Sequence, residues 1–286
     1  MMNIYQMRRL LKKSKKTILS PMITSNLHTH SFYCGHGHGT PSEYVQKASS
    51  MGLKLLGMSE HLPFSNRFLS KSRMDKSEMP NYERDVKALK ESADIDVLLG
   101  YEADYYPRYK GWIEEVHDRV DYLTFGVHFI RNKDGDLITP FSNELTVDDL
   151  TRYCGQFVDA VETDMFTFAA HPDLFYSGRP VWDENAISLS KDLISVALEH
   201  NLPLEINANG LIKRLKLKRP NYPFCEFWHL AEAMGATVIV GFDSHEVENL
   251  EIANDLVSQF VKENDLSFSQ SYLDGGKIKF RKMDQQ

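Results

Sequence analysis

The sequence predicts an α/β protein of barrel type, and three observations carry that prediction. Seven short apolar or β-rich segments recur along the chain, helical patterns lie between most of them, and nearly every segment ends in a residue type that binds metal ions. Alternating strands and helices imply a mostly parallel sheet with right-handed crossovers. A (β/α) barrel suits seven such units better than the alternative, an open doubly wound sheet.

The predicted strands are "MITSNLHTH" (22–30), "LKLLGMSEH" (53–61), "IDVLLGYEAD" (95–104), "YLTFGVHF" (122–129), "FTFAAHPD" (166–173), "LPLEINANG" (202–210) and "ATVIVGFDSH" (236–245). Each is a short run bounded by polar or turn residues. Helical patterns follow in "PSEYVQKASSMG", "YERDVKALKESA", "TVDDLTRYCGQFVDAVE", "NAISLSKDLISVALEHN" and "FCEFWHLAEAMG". The first opens on Pro41 and ends at Gly52, a start and a stop that the helix backbone favours. Two long polar connections, 62–81 and 130–144, read as lids, binding loops or disordered segments.

Composition narrows the function. The chain has 286 residues, 42% of them hydrophobic and 26% charged, as a globular protein requires. A net charge of −7 disfavours a general nucleic-acid-binding surface, so no nucleic-acid partner is expected. No apolar run approaches the roughly 20 residues of a membrane span. Three scattered cysteines, Cys34, Cys154 and Cys225, suggest neither a disulfide framework nor a zinc ribbon, and a cytoplasmic setting is expected. Residues 1–21 are basic and lack the apolar core of a secretory signal. They read as a loosely ordered extension before a single domain over 22–286, with Met22 near the functional start.

The stretch "NLHTHSFYCGHGHG" holds four histidines in fourteen residues, and the other strand ends explain them. The first strand ends at His28 and His30, the second at His61, the third at Glu102, the fourth at His128, the fifth at His171, and the seventh at Asp243 and His245. Only the sixth ends in a weaker ligand, Asn207. In a parallel barrel these ends open on one face, where active sites form. In H-x-H on a strand both side chains share a face, so one ion can be gripped by two of them. Imidazole and carboxylate ligands suit Zn²⁺, Mn²⁺ or Fe. His117, His200 and His229 lie on helical stretches and read as surface or packing residues. His38 reads as an outer neighbour.

The set "HTH", "SEH", "GYEADYYP", "FGVHFI", "HPD" and "DSH", in that order, resembles the polymerase and histidinol phosphatase (PHP) family over roughly residues 22–250. Within it the motifs most resemble the histidinol-phosphate phosphatase branch. The resemblance implies a distorted (β/α)7 TIM-like barrel and a trinuclear metal centre. One ion would be held by His28, His30, Glu102 and Asp243. A second would share Glu102 and add His128 and His171. A third would take His36, His61 and His245. Two departures stand out: Ser59 replaces the usual Thr before Glu60-His61, and Ile212 replaces the Arg often found after "NGL".

The activity so implied is phosphate-monoester hydrolysis, with L-histidinol phosphate as substrate and histidine biosynthesis as pathway. Glu102 would bridge two ions, and Asp243 would exchange a proton with the departing alcohol. Arg179, together with Arg214 or Lys213, would clamp the phosphate. Asp104 and the 62–81 loop are candidates for reading the amine and imidazole. The alternatives are a related phosphoesterase acting on nucleotides, nucleic-acid ends or phosphotyrosine, and a non-catalytic metal-binding barrel.

Overall fold

A computed structural model of the chain describes residues 22–283, apart from 65, 67, 142, 143, 178, 180, 219 and 220. The extension expected over 1–21 lies outside the described residues. The strands are β1 (Ser25–Asn26), β2 (Leu55–His61), β3 (Asp96–Ala103), β4 (Tyr122–Phe125), β5 (Ile130–Arg131), β6 (Leu137–Ile138), β7 (Phe168–Ala169), β8 (Leu204–Asn207), β9 (Val238–Gly241), β10 (Ser269–Asp274) and β11 (Lys277–Lys282). The helices are α1 (Pro41–Ser50), α2 (Met79–Ser92), α3 (Lys110–His117), α4 (Val147–Val161), α5 (Glu184–Glu199), α6 (Ala208–Leu217), α7 (Cys225–Met234) and α8 (Asn249–Glu263).

One sheet runs β1-β2-β3-β4-β7-β8-β9-β10-β11. Its first seven strands pair in parallel, and each falls inside one of the seven predicted segments. The sheet curls so that its ends meet at the carboxyl side. Thr29 bridges Ser244, His30 N donates to Ser244 O at 2.9 Å, and Asp243 N donates to His28 O at 2.8 Å. At the opposite side β10 inserts between the same two strands. It pairs with β9 through Ser269 and Ile239, and Ser271 N donates to Ser25 Oγ at 2.9 Å. The result is a TIM-like barrel distorted by a wedge at its amino end.

Helix boundaries have local causes. Thr40 and Glu43 cap α1 reciprocally, and Thr146 and Asp149 do the same for α4. Each box satisfies two backbone donors that the first turn would otherwise leave bare. The predicted sixth strand, 202–210, ends early. Asn207 terminates β8, and its side chain accepts from Gly210 N at 3.3 Å, which starts α6 at Ala208. The sequence reading marks α3 only through His117 and does not mark α6, α8 or the β10–β11 hairpin. That hairpin turns on Gly275 and Gly276, both at positive φ, a conformation that costs glycine little.

Both long connections hold ordered structure among the described residues. The 130–144 stretch contains the β5–β6 hairpin. The 62–81 stretch is anchored by buried Phe64, Arg73 and Met74, and α2 begins within it at Met79.

The sheet separates two apolar layers. The larger lies between strands and helices and includes Leu56, Leu99, Phe125, Ile206 and Val240 with Val86, Phe157 and Trp228. The smaller fills the lower barrel with Leu27, Leu55, Leu98, Tyr122, Phe168, Ala170 and Ile239. Leu273, Ile278 and Phe280 of the C-terminal hairpin close it from below. No described helix is long and apolar enough to cross a membrane.

Candidate metal centre

Above the lower core the inward-facing positions turn ionisable. His61 ends β2, Glu102 sits near the end of β3, and His128 and His171 follow β4 and β7. His28, His30, Asp243 and His245 lie just past β1 and β9 rather than on them. Leu27 faces the lower core while His28 faces the centre, so the regular alternation breaks between them. The Asn26 side chain covers the break, accepting from His28 N at 3.3 Å and Phe242 N at 2.9 Å. Asp243 (φ 49°) and His171 (φ 34°) both occupy the left-handed region, which is strained for side-chain-bearing residues and recurs at functional sites.

Glu102 stands at the middle, 1% exposed. Its two oxygens face different histidines. Oε2 is 3.5 Å from His28 Nε2, 3.5 Å from His30 Nε2 and 2.9 Å from His61 Nδ1. Oε1 is 3.2 Å from both His128 Nε2 and His171 Nε2. Asp243 Oδ1 joins the first group, 3.6 Å from His28 Nε2 and 3.3 Å from His30 Nε2, and the two imidazole nitrogens are 3.1 Å apart. Donors about 2.0–2.1 Å from a tetrahedral ion stand roughly 3.3 Å from one another. Separations of this size among nitrogens and oxygens that all face inward are what a shared cation requires.

The histidine tautomers agree. His36 Nδ1 is 3.1 Å from Cys34 O, and His245 Nδ1 is 3.1 Å from Asp243 O. A carbonyl only accepts, so each Nδ1 is the donor and each Nε2 keeps its lone pair. The His36 ring lies 5.4 Å from His61 and 4.7 Å from His245, between centroids. His30, His61 and His245 also bring ligand atoms together, as do Cys34, His36 and His245.

Electrostatics describe a pocket built for positive charge. Burial disfavours the Glu102 and Asp243 carboxylates, but the surrounding histidines outweigh it and hold both well below the usual carboxylate range. Burial works against the His128 cation too, yet Glu102 and Asp104 lift it to about 10. His61 and His245 go the other way: burial, reinforced by His30, keeps them well below the ordinary imidazole range. His171 Nδ1 and His245 Nε2 are buried without a hydrogen-bond partner, and His61 Nδ1 and Glu102 Oε2 meet at 2.9 Å off hydrogen-bond geometry. Such orphans are costly unless something else satisfies them. Imidazole and ionised carboxylate are donor types that fit divalent metal ions, and an ion bound here would replace the proton that His128 holds in the metal-free centre.

Behind the ligands stands a second tier, mostly missed in the sequence. Glu205, inward on β8, places Oε1 2.7 Å from His28 Nδ1. Its only signal was its place two residues before Asn207. Glu60 accepts from Ser31 N at 2.6 Å and lies 3.9 Å from His30 Nδ1; burial pushes its carboxyl up to about 8. Asp104, a candidate for reading the substrate amine, is fully buried instead. It takes His128 N and Nδ1 at 3.0 Å each and pairs with Arg73. Gly126 leaves room for the centre, since a Cβ there would meet His171 Cε1 at 2.6 Å and Glu102 Oε1 at 2.9 Å.

The three proposed phosphate contacts differ in placement. Lys213 Nζ donates to Tyr222 Oη at 3.1 Å and lies 4.1 Å over the Phe141 ring, and it feels Asp243 and Glu102. Arg214 donates to Asn221 O and Pro223 O at 2.6 Å each. Arg179 donates to Leu145 O and sits 3.6 Å from Asp183. His38 is exposed, and its backbone N donates to His245 O at 2.8 Å. His200 pairs with Asp164, His229 lies 2.8 Å from Asn264 O, and His117 is exposed on α3.

Comparison with known proteins places this geometry. The chain is 27% identical to the "Probable histidinol-phosphatase" of Deinococcus radiodurans, over 77% of this chain and 85% of that protein. It is 26% identical to a "Probable phosphatase" of Clostridium acetobutylicum, over 89% and 96%. Among solved structures it superposes on histidinol phosphate phosphatase of Lactococcus lactis, complexed with zinc, L-histidinol and phosphate. The TM-score there is 0.65 at 17% identity, covering 90% of this chain and 98% of that one. The PHP domain profile matches residues 26–209, the stretch that carries His28 through Asn207. The chain belongs to the PHP domain family.

Proposed function

We propose that the chain is a metal-dependent phosphate-monoester hydrolase acting on L-histidinol phosphate, and that it works with three divalent ions. The observation that carries this reading is the division of Glu102, whose oxygens serve two separate histidine groups at 2.9–3.5 Å. His28, His30, Glu102 and Asp243 would hold one ion, Glu102, His128 and His171 a second, and His36, His61 and His245 a third. Bound there, divalent ions lower the pKa of water and offset charge on a phosphoryl group.

The chain's own groups supply the rest. Burial lowers the pKa of Lys213 while Asp243 and Glu102 raise it, and its ammonium would offset charge on a phosphoryl oxygen held at the centre. Phe141 and Tyr222 flank it and narrow the approach over His128 and His171. Asp243 is our candidate for passing a proton to the departing alcohol. Its Oδ2 is steadied by Asn207 Nδ2 at 3.3 Å and Asn209 Nδ2 at 3.1 Å. Arg179 and Arg214 would act by ordering the loops that border the phosphate. The Deinococcus relative and the Lactococcus structure support histidinol phosphate as substrate.

The test is kcat/KM of zinc- or manganese-loaded protein for L-histidinol phosphate, beside mononucleotides and an aryl phosphate. About 10⁴ M⁻¹s⁻¹ or more on histidinol phosphate alone supports the assignment. Equal, weak rates on all would move the protein to another phosphoester. No hydrolysis by fully loaded protein would leave a binding barrel.

A further inference from the structure

Glu205 touches more than one ligand, and this sets it apart from the other second-tier acids. It is fully buried on β8. Oε1 is 2.7 Å from His28 Nδ1. Oε2 accepts from His171 N at 3.2 Å and from Asn207 Nδ2 at 3.0 Å. His28 faces Glu102 Oε2 and Asp243, whereas His171 faces Glu102 Oε1. One carboxylate therefore reaches the two histidine groups that Glu102 separates. We propose that Glu205 is a positioning residue that couples the first and second metal positions, fixing His28 by its ring and His171 by its backbone.

Each contact has a definite effect. The carboxylate can only accept from His28 Nδ1, so that nitrogen carries a proton and Nε2 is the atom left to bind an ion. The negative charge also makes the imidazole a stronger donor to a cation. At His171 the backbone holds φ at 34°, which a β-carbon-bearing residue resists. The bond from His171 N to Glu205 Oε2 offsets that resistance and aims the ring at Glu102. The chain makes space for this acid: a Cβ on Gly241 would fall 1.6 Å from Glu205 Oε1. Asp104 and Glu60 lack this double reach, since each stands behind a single ligand.

The inference rests on the metal-centre reading but not on the identity of the substrate. It is tested by zinc binding to the full-length chain, titrated against a competing chelator. Glu205→Gln keeps the shape but removes the charge, and its amide cannot satisfy both His28 and His171. Gly241→Ala keeps the charge but forces the carboxylate off its place. Each variant should weaken two zinc sites by about 10–100-fold and leave the third, at His36, His61 and His245, at wild-type affinity. Far-UV circular dichroism of the metal-free proteins should match wild type. If Glu205→Gln does not fold, Gly241→Ala decides alone.

Unchanged affinity at every site in the folded variants would overturn the proposal. So would an equal loss at all three, which would make Glu205 a general structural support. Wild-type protein that takes up no zinc would overturn the metal centre and this inference together. Wild-type loading with unaltered variants would remove only the inference.

Discussion

The lower and upper halves of the barrel interior use the same inward-facing strand positions for opposite ends. On β2 the inward series is Leu55, Gly57, Ser59 and His61; on β3 it is Leu98, Gly100 and Glu102. The lower half completes itself. Tyr122 fills it, and Gly57 and Gly100 are the room it needs, since a Cβ at either would meet the Tyr122 ring or hydroxyl within 2.4 Å. Its hydroxyl donates to Leu27 O at 2.6 Å, so no polar group is left over. The upper half does not complete itself. His171 Nδ1 and His245 Nε2 are buried there without partners, and Glu102 Oε2 meets His61 Nδ1 only off hydrogen-bond geometry. Apolar packing fills the lower half and ionisable groups line the upper, within one continuous wall.

That division can be broken from either side. The largest expected effect is at Glu102. Glu102→Gln should reduce turnover by at least about 10³-fold, measured as kcat on L-histidinol phosphate, with the far-UV spectrum unchanged. Near-normal activity would mean that the two histidine groups are not joined through this carboxylate. Next comes Tyr122→Ala, which should cost about 3–5 kcal/mol in urea unfolding by emptying the lower half. Zinc affinity of the folded fraction should persist; a parallel loss would show that the halves are not separable.

Removal of any one ion is smaller and acts from the other half. Each ion present at about 100 times its Kd adds roughly 2.7 kcal/mol, so chelation should lower the melting temperature of wild type. The drop should shrink in Glu102→Gln. The smallest effect belongs outside the barrel. Thr146→Ala removes the capping box of α4 and should cost about 1 kcal/mol, with kcat/KM and zinc uptake unaltered.

Much of this was legible in the sequence, for reasons tied to particular residues. Strand cores such as "LLGMSEH" and "VLLGYEA" are buried on both faces, so they read as short apolar runs, and their ligands end them. Elements with weaker signals were lost. The helix α6 begins without a break after β8, so its first turn reads as the end of a strand until the Asn207 cap is seen. The β10–β11 hairpin lies beyond the last ligand motif, where "DGG" was the only mark of a turn.

The sequence by itself determined the order of the strands and the histidine and carboxylate residues at their ends. These are local properties: periodicity, composition and spacing survive in a one-dimensional reading. Only the tertiary structure decided which further acid stands behind which histidine. Glu205 lies 177 positions from His28, and Asp104 lies 24 from His128, yet each sits within 3.0 Å of its partner. A buried acid is indistinguishable in sequence from a solvated one. Curling the sheet brings strand ends together, and the cost of burying unpaired charge then dictates which groups must face one another.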